Sequence, residues 1–160
     1  MNTNSAEATM PSPQTQSAPD ADAAQVHSDA YAVIMFDGVC NLCNASINFV
    51  IDRDTDRYFR YAPLQSETGQ AFLKKHGRKT SDFDSIILVQ GDTYYTKSTA
   101  ALRIARHLGN GWPLLYSFIL IPPFIRNAVY DVIASKRYAW FGKQDSCRMP
   151  TPELKSLFLK

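Results

Sequence analysis

The apolar positions of the chain fall into two patterns from residue 31 onward. Short runs rich in β-branched and aromatic residues predict strands, and apolar residues recurring every three or four positions predict helices. The predicted strands are Tyr31–Phe36, Tyr58–Ala62, Ser85–Gln90 and Thr93–Thr96. The helices predicted between and after them run from Cys40 to about Asp54, from a Ser66 cap to about His76, and from a Ser98 cap to Leu108.

The order of these elements, β-α-β-α-β-β-α, restricts the fold. The β-α-β opening requires a parallel pair of strands with a right-handed crossover, and the hairpin at Gly91-Asp92 adds an antiparallel edge. We therefore predict an α/β fold with a thioredoxin-like mixed four-stranded sheet flanked by helices. In such sheets the loop that follows the first strand lies at the edge where ligands bind.

The chain continues past Gly109 as a predicted C-terminal helical extension. Its segments are helices at Trp112–Ile121 and Phe124–Lys136, an aromatic and basic stretch at Arg137–Gly142, and a short helix from Pro152 to Leu159 capped by Thr151. We expect the extension to pack on the core, because apolar helix faces are usually buried. The alternative is a groove for a partner or a surface that touches a membrane.

Composition divides the 160 residues into three parts. Residues 1–28 are polar and predict a disordered tail, residues 29–150 form the domain with its helical extension, and residues 151–160 hold the short last helix. No secretory signal is visible, and the longest apolar run is about half of the ~20 residues that a spanning helix needs. We therefore expect a cytoplasmic protein without a transmembrane segment.

The formal net charge of +2 combines two unlike parts. Residues 1–52 hold six acidic and no basic residues, so all 17 Lys and Arg lie in residues 53–160. The basic residues are scattered without a run of five, which argues against nucleic acid as a partner. A solvated face is the simplest interpretation of the arginines, including Arg126 and Arg137.

The candidate chemistry lies in Cys40-Asn41-Leu42-Cys43, between the first strand and the first helix. A thiol at a helix N-terminus ionises more readily, because free backbone N–H groups and the helix dipole favour negative charge. We expect Cys40 to be the exposed, attacking thiolate and Cys43 to resolve the mixed disulfide. Asp37 either exchanges the proton of Cys43 or is an ordinary Asp-Gly turn residue.

Two other interpretations of the cysteines stay open. They are buried structural residues, or they bind zinc together with ligands drawn from Cys147, His76 and His107. Each of those ligands stands alone in the sequence, and the two histidines precede glycines at helix ends, where they suit the helix dipole. Cys147 is either a third redox thiol or a passive residue. We expect no cofactor.

The stretch Asp37–Asn44 resembles the signature of the DCC family of predicted thiol-disulfide oxidoreductases. Similar blocks extend over residues 31–150; they are Tyr61–Ser66, Asp84–Ile86, Ser98 with Ala101, Tyr130-Asp131, Arg137-Tyr138, Phe141-Gly142 and Cys147. The resemblance implies a thioredoxin-like fold and a dithiol at Cys40 and Cys43, with Asp37 as the accompanying acid. Thioredoxins place a proline before the third core strand, whereas Ser81–Ser85 has none. A groove formed by the C-terminal helices is therefore the expected substrate site.

These observations together predict a thiol-disulfide oxidoreductase. It exchanges electrons between the Cys40/Cys43 dithiol and a disulfide-containing protein or small molecule, and an unidentified reducing partner restores the dithiol. The alternatives are a zinc-binding module and a non-catalytic protein-interaction domain.

Overall fold

A computed structural model of the chain describes residues 30–81, 83–143, 152 and 154–160. The predicted tail, Cys147 and Thr151 lie outside the described residues. The strands are β1 (Ala32–Phe36), β2 (Phe59–Pro63), β3 (Ile87–Gln90) and β4 (Thr93–Thr96). The α-helices are α1 (Asn41–Arg53), α2 (Glu67–Lys75), α3 (Lys97–Arg106) and α4 (Pro123–Phe141), and 3-10 helices occupy Trp112–Leu120 and Lys155–Leu157.

The four strands form one mixed sheet in the order β2-β1-β3-β4. β1 runs parallel to β2, with Ile34 opposite Tyr61, and antiparallel to β3, with Ile34 opposite Leu88. β4 pairs antiparallel with β3 at the edge. The predicted thioredoxin-like layout is thus confirmed, and the loop after the central strand β1 leads directly into α1.

Both faces of the sheet are buried, which explains why β1 is an uninterrupted apolar run. Successive side chains point to opposite faces, so Ile34 and Phe36 belong to the cluster that contains Ile47 of α1 and Ile104 of α3. The intervening Val33 and Met35 lie in the other cluster. That second cluster includes Phe72 and Leu73 of α2.

Of the two helix caps predicted from the sequence, one is confirmed and one is wrong. The Ser66 cap of α2 is confirmed, since its Oγ accepts the Gly69 N–H at 3.2 Å. The Ser98 cap of α3 is wrong, because the helix begins at Lys97 after Thr96. The Ser98 hydroxyl instead donates to Asn127 Oδ1 of α4 at 2.5 Å. It therefore links two helices.

The C-terminal extension differs from the prediction in its length and burial. α4 continues to Phe141, so the aromatic and basic stretch from Arg137 is helical, and Gly142 ends it with a φ of 76°. The expectation that the apolar faces are buried is wrong for much of the extension. Large apolar side chains are exposed; examples are Leu114, Phe118, Leu120, Phe124, Val129, Val132 and Trp140. No helix in the described part of the chain is both long and apolar enough to cross a bilayer.

Gly69 gives a direct test of how closely α2 packs on β2. A Cβ atom at this position would lie 2.5 Å from Pro63 O and 2.7 Å from Leu64 Cα. We expect Gly69→Ala to lower the free energy of unfolding by about 1–3 kcal/mol, because the helix must shift away from the strand. Urea unfolding measures this loss. Gly109→Ala is the matched control, since a Cβ there meets nothing within 4 Å, and an equal loss in both variants would contradict the close packing.

Candidate active site

The two cysteines lie at the N-terminus of α1, as the sequence predicts. Cys40 is the N-cap residue, and its Sγ accepts the backbone N–H of Cys43 at 3.4 Å. The two residues approach within 3.1 Å and both are free thiols. A backbone N–H of the helix start therefore points at the Cys40 sulfur, and Cys43 lies one turn further along the helix.

Cys40 has no exposed surface, so the expectation that it is the exposed thiol is wrong. The end of α4 covers it. Asn41 Nδ2 donates to Phe141 O at 2.8 Å, and Cys40 forms an isolated β-bridge with Lys143. The sequence could not reveal this cover, because about 100 residues separate its two sides.

Cys43 is the partly exposed thiol of the pair. Burial raises the pKa of Cys43 above its ordinary value, and the hydrogen bond to Cys40 and the charge of that group raise it further. The positive charge of Arg137 lowers this pKa and the negative charge of Asp37 raises it, both to a smaller extent. The reachable sulfur is therefore held as a neutral thiol over a wide pH range.

Asp37 is a buried carboxylate at the end of β1, with 2% of its surface exposed. Its Oδ1 accepts the Val39 N–H at 3.1 Å, which makes the Asp-Gly turn anticipated from the sequence. The same oxygen accepts Gln65 Nε2 at 2.8 Å, while Gln65 Oε1 accepts the Gly38 N–H at 3.0 Å. Gln65 thus clamps the loop that carries Cys40.

Two residues of α4 bind the second oxygen of Asp37. Tyr138 donates its hydroxyl hydrogen to Oδ2, and Arg137 Nη2 lies 3.4 Å from it. Burial and this hydrogen bond to Asp37 raise the pKa of Tyr138 to about 12. The guanidinium also donates to Phe83 O at 2.9 Å and Asp84 O at 3.1 Å. The interpretation of Arg137 as part of a solvated face is therefore wrong, because only 4% of it is exposed.

Tyr130 completes the contact between α4 and the segment before β3. Its hydroxyl oxygen accepts the Ile86 N–H at 2.9 Å. Sequence reasoning assigned no role to Tyr130 or Tyr138 and placed Arg137 on a solvated face, although all three lie in the blocks that resemble the family. Tyr130 and Arg137 are seven residues apart, hence on one face of a helix. This spacing was the available signal.

A cavity of about 580 Å³ lies beside Cys43. Its walls come from α1, the segment before β3, α3, the first 3-10 helix and α4. Asp37, Cys43, Ser85, Tyr130 and Arg137 are among its polar lining residues. Cys40 is not among the residues that line it. The C-terminal helices thus form one side of a cavity next to the dithiol.

The candidate metal ligands are not brought together in the described residues. No group of three or more His, Cys, Asp or Glu side chains there is arranged to hold a metal ion. His76 and His107 are the C-cap residues of α2 and α3, as their position before glycines suggested. Cys147, the remaining proposed ligand, lies outside the described part.

Comparisons with known proteins agree on one family. Residues 34–143 match the family described as DCC1-like thiol-disulfide oxidoreductase. The chain is 48% identical over 127 residues to the uncharacterized protein YuxK of Bacillus subtilis, a match covering 79% of this chain and 93% of that protein. A chloroplastic DCC family protein of Arabidopsis thaliana is 42% identical over 122 residues, covering 76% and 71% of the two chains. No solved structure matches significantly.

The raised pKa of Cys43 predicts a loss of stability in alkali. Below pH 9.0, the ordinary pKa of the thiol, Cys43 is neutral in both the folded and the unfolded chain. Above it the unfolded chain loses the proton first, so the free energy of unfolding falls as the pH rises. We expect the fall between pH 8 and pH 10 to be steeper for the wild type than for Cys43→Ser in urea titrations. If the free energy of unfolding falls equally with pH in the two proteins, the raised pKa of Cys43 in the folded chain is contradicted.

The cover of Cys40 by α4 gives a second prediction. Asn41→Ala removes the hydrogen bond to Phe141 O, which contributes about 1 kcal/mol, so opening of the cover should become about fivefold more frequent. We expect alkylation of Cys40 by iodoacetamide, followed by peptide mass spectrometry, to accelerate by about that factor. Asn48→Ala on the exposed side of the same helix is the control. Equal rates in all three proteins would show that α4 does not limit access.

Proposed function

This chain belongs to the DCC1-like thiol-disulfide oxidoreductase family. We propose that it exchanges electrons between a dithiol, formed by Cys40 and Cys43, and a disulfide substrate. The observation that carries the proposal is the pair of free thiols at the start of α1, one of them lining a cavity. The buried Cys40 sulfur accepts a helix N–H, while Cys43 is within reach of a substrate. The family name supports the reaction type.

Access decides which sulfur the substrate meets first. In our proposal Cys43 releases its proton as its sulfur attacks one sulfur of the substrate disulfide, and the displaced thiolate takes up that proton. Cys40, as thiolate, then attacks Cys43 Sγ, and the second substrate thiolate leaves with a proton. Two electrons pass from the dithiol to the substrate. This order reverses the roles inferred from the sequence, because Cys40 is covered.

Asp37 is the third residue of the proposed site, as an electrostatic and positioning group. Its carboxylate holds Arg137 and Tyr138 on one side and Gln65 on the other. Its negative charge opposes ionisation of Cys43, whereas Arg137 favours it. The two charges therefore partly offset each other at Cys43, whose pKa is raised mainly by burial and by Cys40. Four donors already occupy the carboxylate, which argues against its being a freely available proton acceptor.

The substrate in this proposal is a disulfide-containing protein or small molecule, and a separate reductant restores the dithiol. We propose the cytoplasm as the setting, because thiols persist there in the reduced form that the reaction requires. The odd number of cysteines, three in the chain, also argues against a disulfide-stapled secreted domain.

Trapping of the mixed disulfide tests both the function and the roles. We expect the reduced wild type to convert an excess of hydroxyethyl disulfide into thiol with formation of the Cys40–Cys43 disulfide. Cys40→Ser should stop at a mixed disulfide on Cys43, because the resolving thiol is gone. Cys43→Ser should react at least about tenfold more slowly, since only the covered thiol remains. Peptide mass spectrometry locates each adduct.

The opposite trapping pattern would restore the roles inferred from the sequence. A wild type that remains inert at pH 7 to pH 9 would refute the oxidoreductase. Cys147→Ser is the control for the third thiol, and it should behave like the wild type.

A further inference from the structure

We propose that the cavity beside Cys43 binds uncharged, apolar, low-molecular-weight disulfides, which makes them the substrate class of this dithiol. The inference rests on the proposed function and adds the identity of the ligand. Its basis is the size of the cavity, the chemistry of its walls and the position of Cys43 among the described residues that line it.

The size of the cavity suits a small molecule. Its volume of about 580 Å³ lies inside the ~300–1,000 Å³ range of small-molecule sites. Exposed residues from three helices lie along it; these are Ser46 of α1, Ala101 of α3 and Ile133 of α4. The cavity therefore reaches the surface, and a ligand need not displace the sheet or the cover over Cys40 to enter.

The walls favour apolar groups. Aliphatic and aromatic side chains form most of the lining, among them Leu42, Phe49, Ile104, Leu108, Trp112 and Ile133. Such a lining stabilises a ligand that exchanges water for apolar contact. A strongly polar disulfide such as oxidised glutathione would lose its hydration there without gaining equivalent partners.

The charged residues that line the cavity do not favour the binding of a charged ligand. Asp37 and Arg137 are paired with each other, so their charges are already neutralised within the protein. The Asp84 side chain is 91% exposed, and its Oδ1 lies 3.9 Å from Arg137 Nη2, so it too is paired within the protein. A charged group bound deep in the cavity would thus meet no unpaired opposite charge among the described lining residues. This favours an uncharged ligand.

The position of Cys43 in the cavity wall indicates where the sulfur of a bound ligand would lie. Cys43 lines the cavity next to Arg137 and Tyr130, and Cys40 stands behind it at the helix N-terminus. A disulfide whose apolar groups fill the cavity would present a sulfur to Cys43. Cys43 would then lose its proton and form the new S–S bond while one apolar thiolate leaves with that proton, and Cys40 would release the second, as in the reaction above.

Binding is tested first without redox chemistry. Bibenzyl carries the two phenyl groups of diphenyl disulfide on two methylene groups in place of the sulfurs, so it can fill an apolar site but cannot exchange with thiols. The chain has two tryptophans, so Trp140→Phe leaves Trp112 in the cavity wall as the only indole. We expect bibenzyl to change the fluorescence of Trp112 saturably in this variant. No saturable change, checked by calorimetry on the wild type, would overturn the inference.

Cavity filling tests the location. Ala134→Phe adds a ring to a lining position of α4, and Ala128→Phe is the control on the same helix outside the lining residues. We expect Ala134→Phe to weaken bibenzyl binding and to slow exchange with diphenyl disulfide by about tenfold or more. Ala128→Phe should leave both unchanged. If both variants fold and show equal bibenzyl binding and equal exchange rates, the assignment of the binding site to this cavity is overturned. If Ala134→Phe fails to fold, competition of bibenzyl with alkylation of Cys43 in the wild type replaces it, and absence of protection overturns the location.

Substrate preference separates this inference from the proposed function. We expect the wild type to exchange with diphenyl disulfide at least about tenfold faster than with oxidised glutathione, after correction for their uncatalysed rates. Faster exchange with glutathione or with a peptide disulfide would overturn the substrate class while the oxidoreductase stands. Saturable bibenzyl binding without exchange of any disulfide would refute the oxidoreductase and leave only an apolar binding site.

Discussion

The buried carboxylate of Asp37 joins three parts of the molecule that are far apart in the sequence. It binds the loop that carries Cys40, the segment after β2 through Gln65, and α4 through Arg137 and Tyr138. A buried charge that lost these partners would destabilise the fold by several kcal/mol. The position of α4 over the dithiol therefore depends on Asp37, and so do the cover of Cys40 and one wall of the cavity.

The packing of α4 gives the two thiols unlike environments. Its C-terminal end buries the sulfur that lies at the helix N-terminus, and its middle lines the cavity that Cys43 shares. Burial raises the pKa of the reachable thiol, while Arg137 partly offsets this effect. One helix thus covers one sulfur, lines the cavity beside the other, and contributes the positive charge that lowers the pKa of the latter.

The segment before β3, in which residues 81–85 include no proline, is held by side chains of α4. Arg137 holds the carbonyl groups of Phe83 and Asp84, and Tyr130 accepts the N–H of Ile86. These contacts immobilise backbone that faces the dithiol, and they come from the C-terminal extension. The extension is for this reason part of the site, although it also leaves a broad apolar surface exposed.

The sequence alone determined the fold and the placement of the dithiol. The β-α-β opening, the hairpin turn and the Ser66 cap are local signals, and an apolar β1 followed by Cys-x-x-Cys is enough to predict thiols at the start of a helix. The depth of each sulfur was decided only in the tertiary structure. Cys40 is buried by residues 141–143 and Arg137 is paired with Asp37, which is 100 positions away. Burial depends on which distant surfaces meet, and local periodicity carries no information about that.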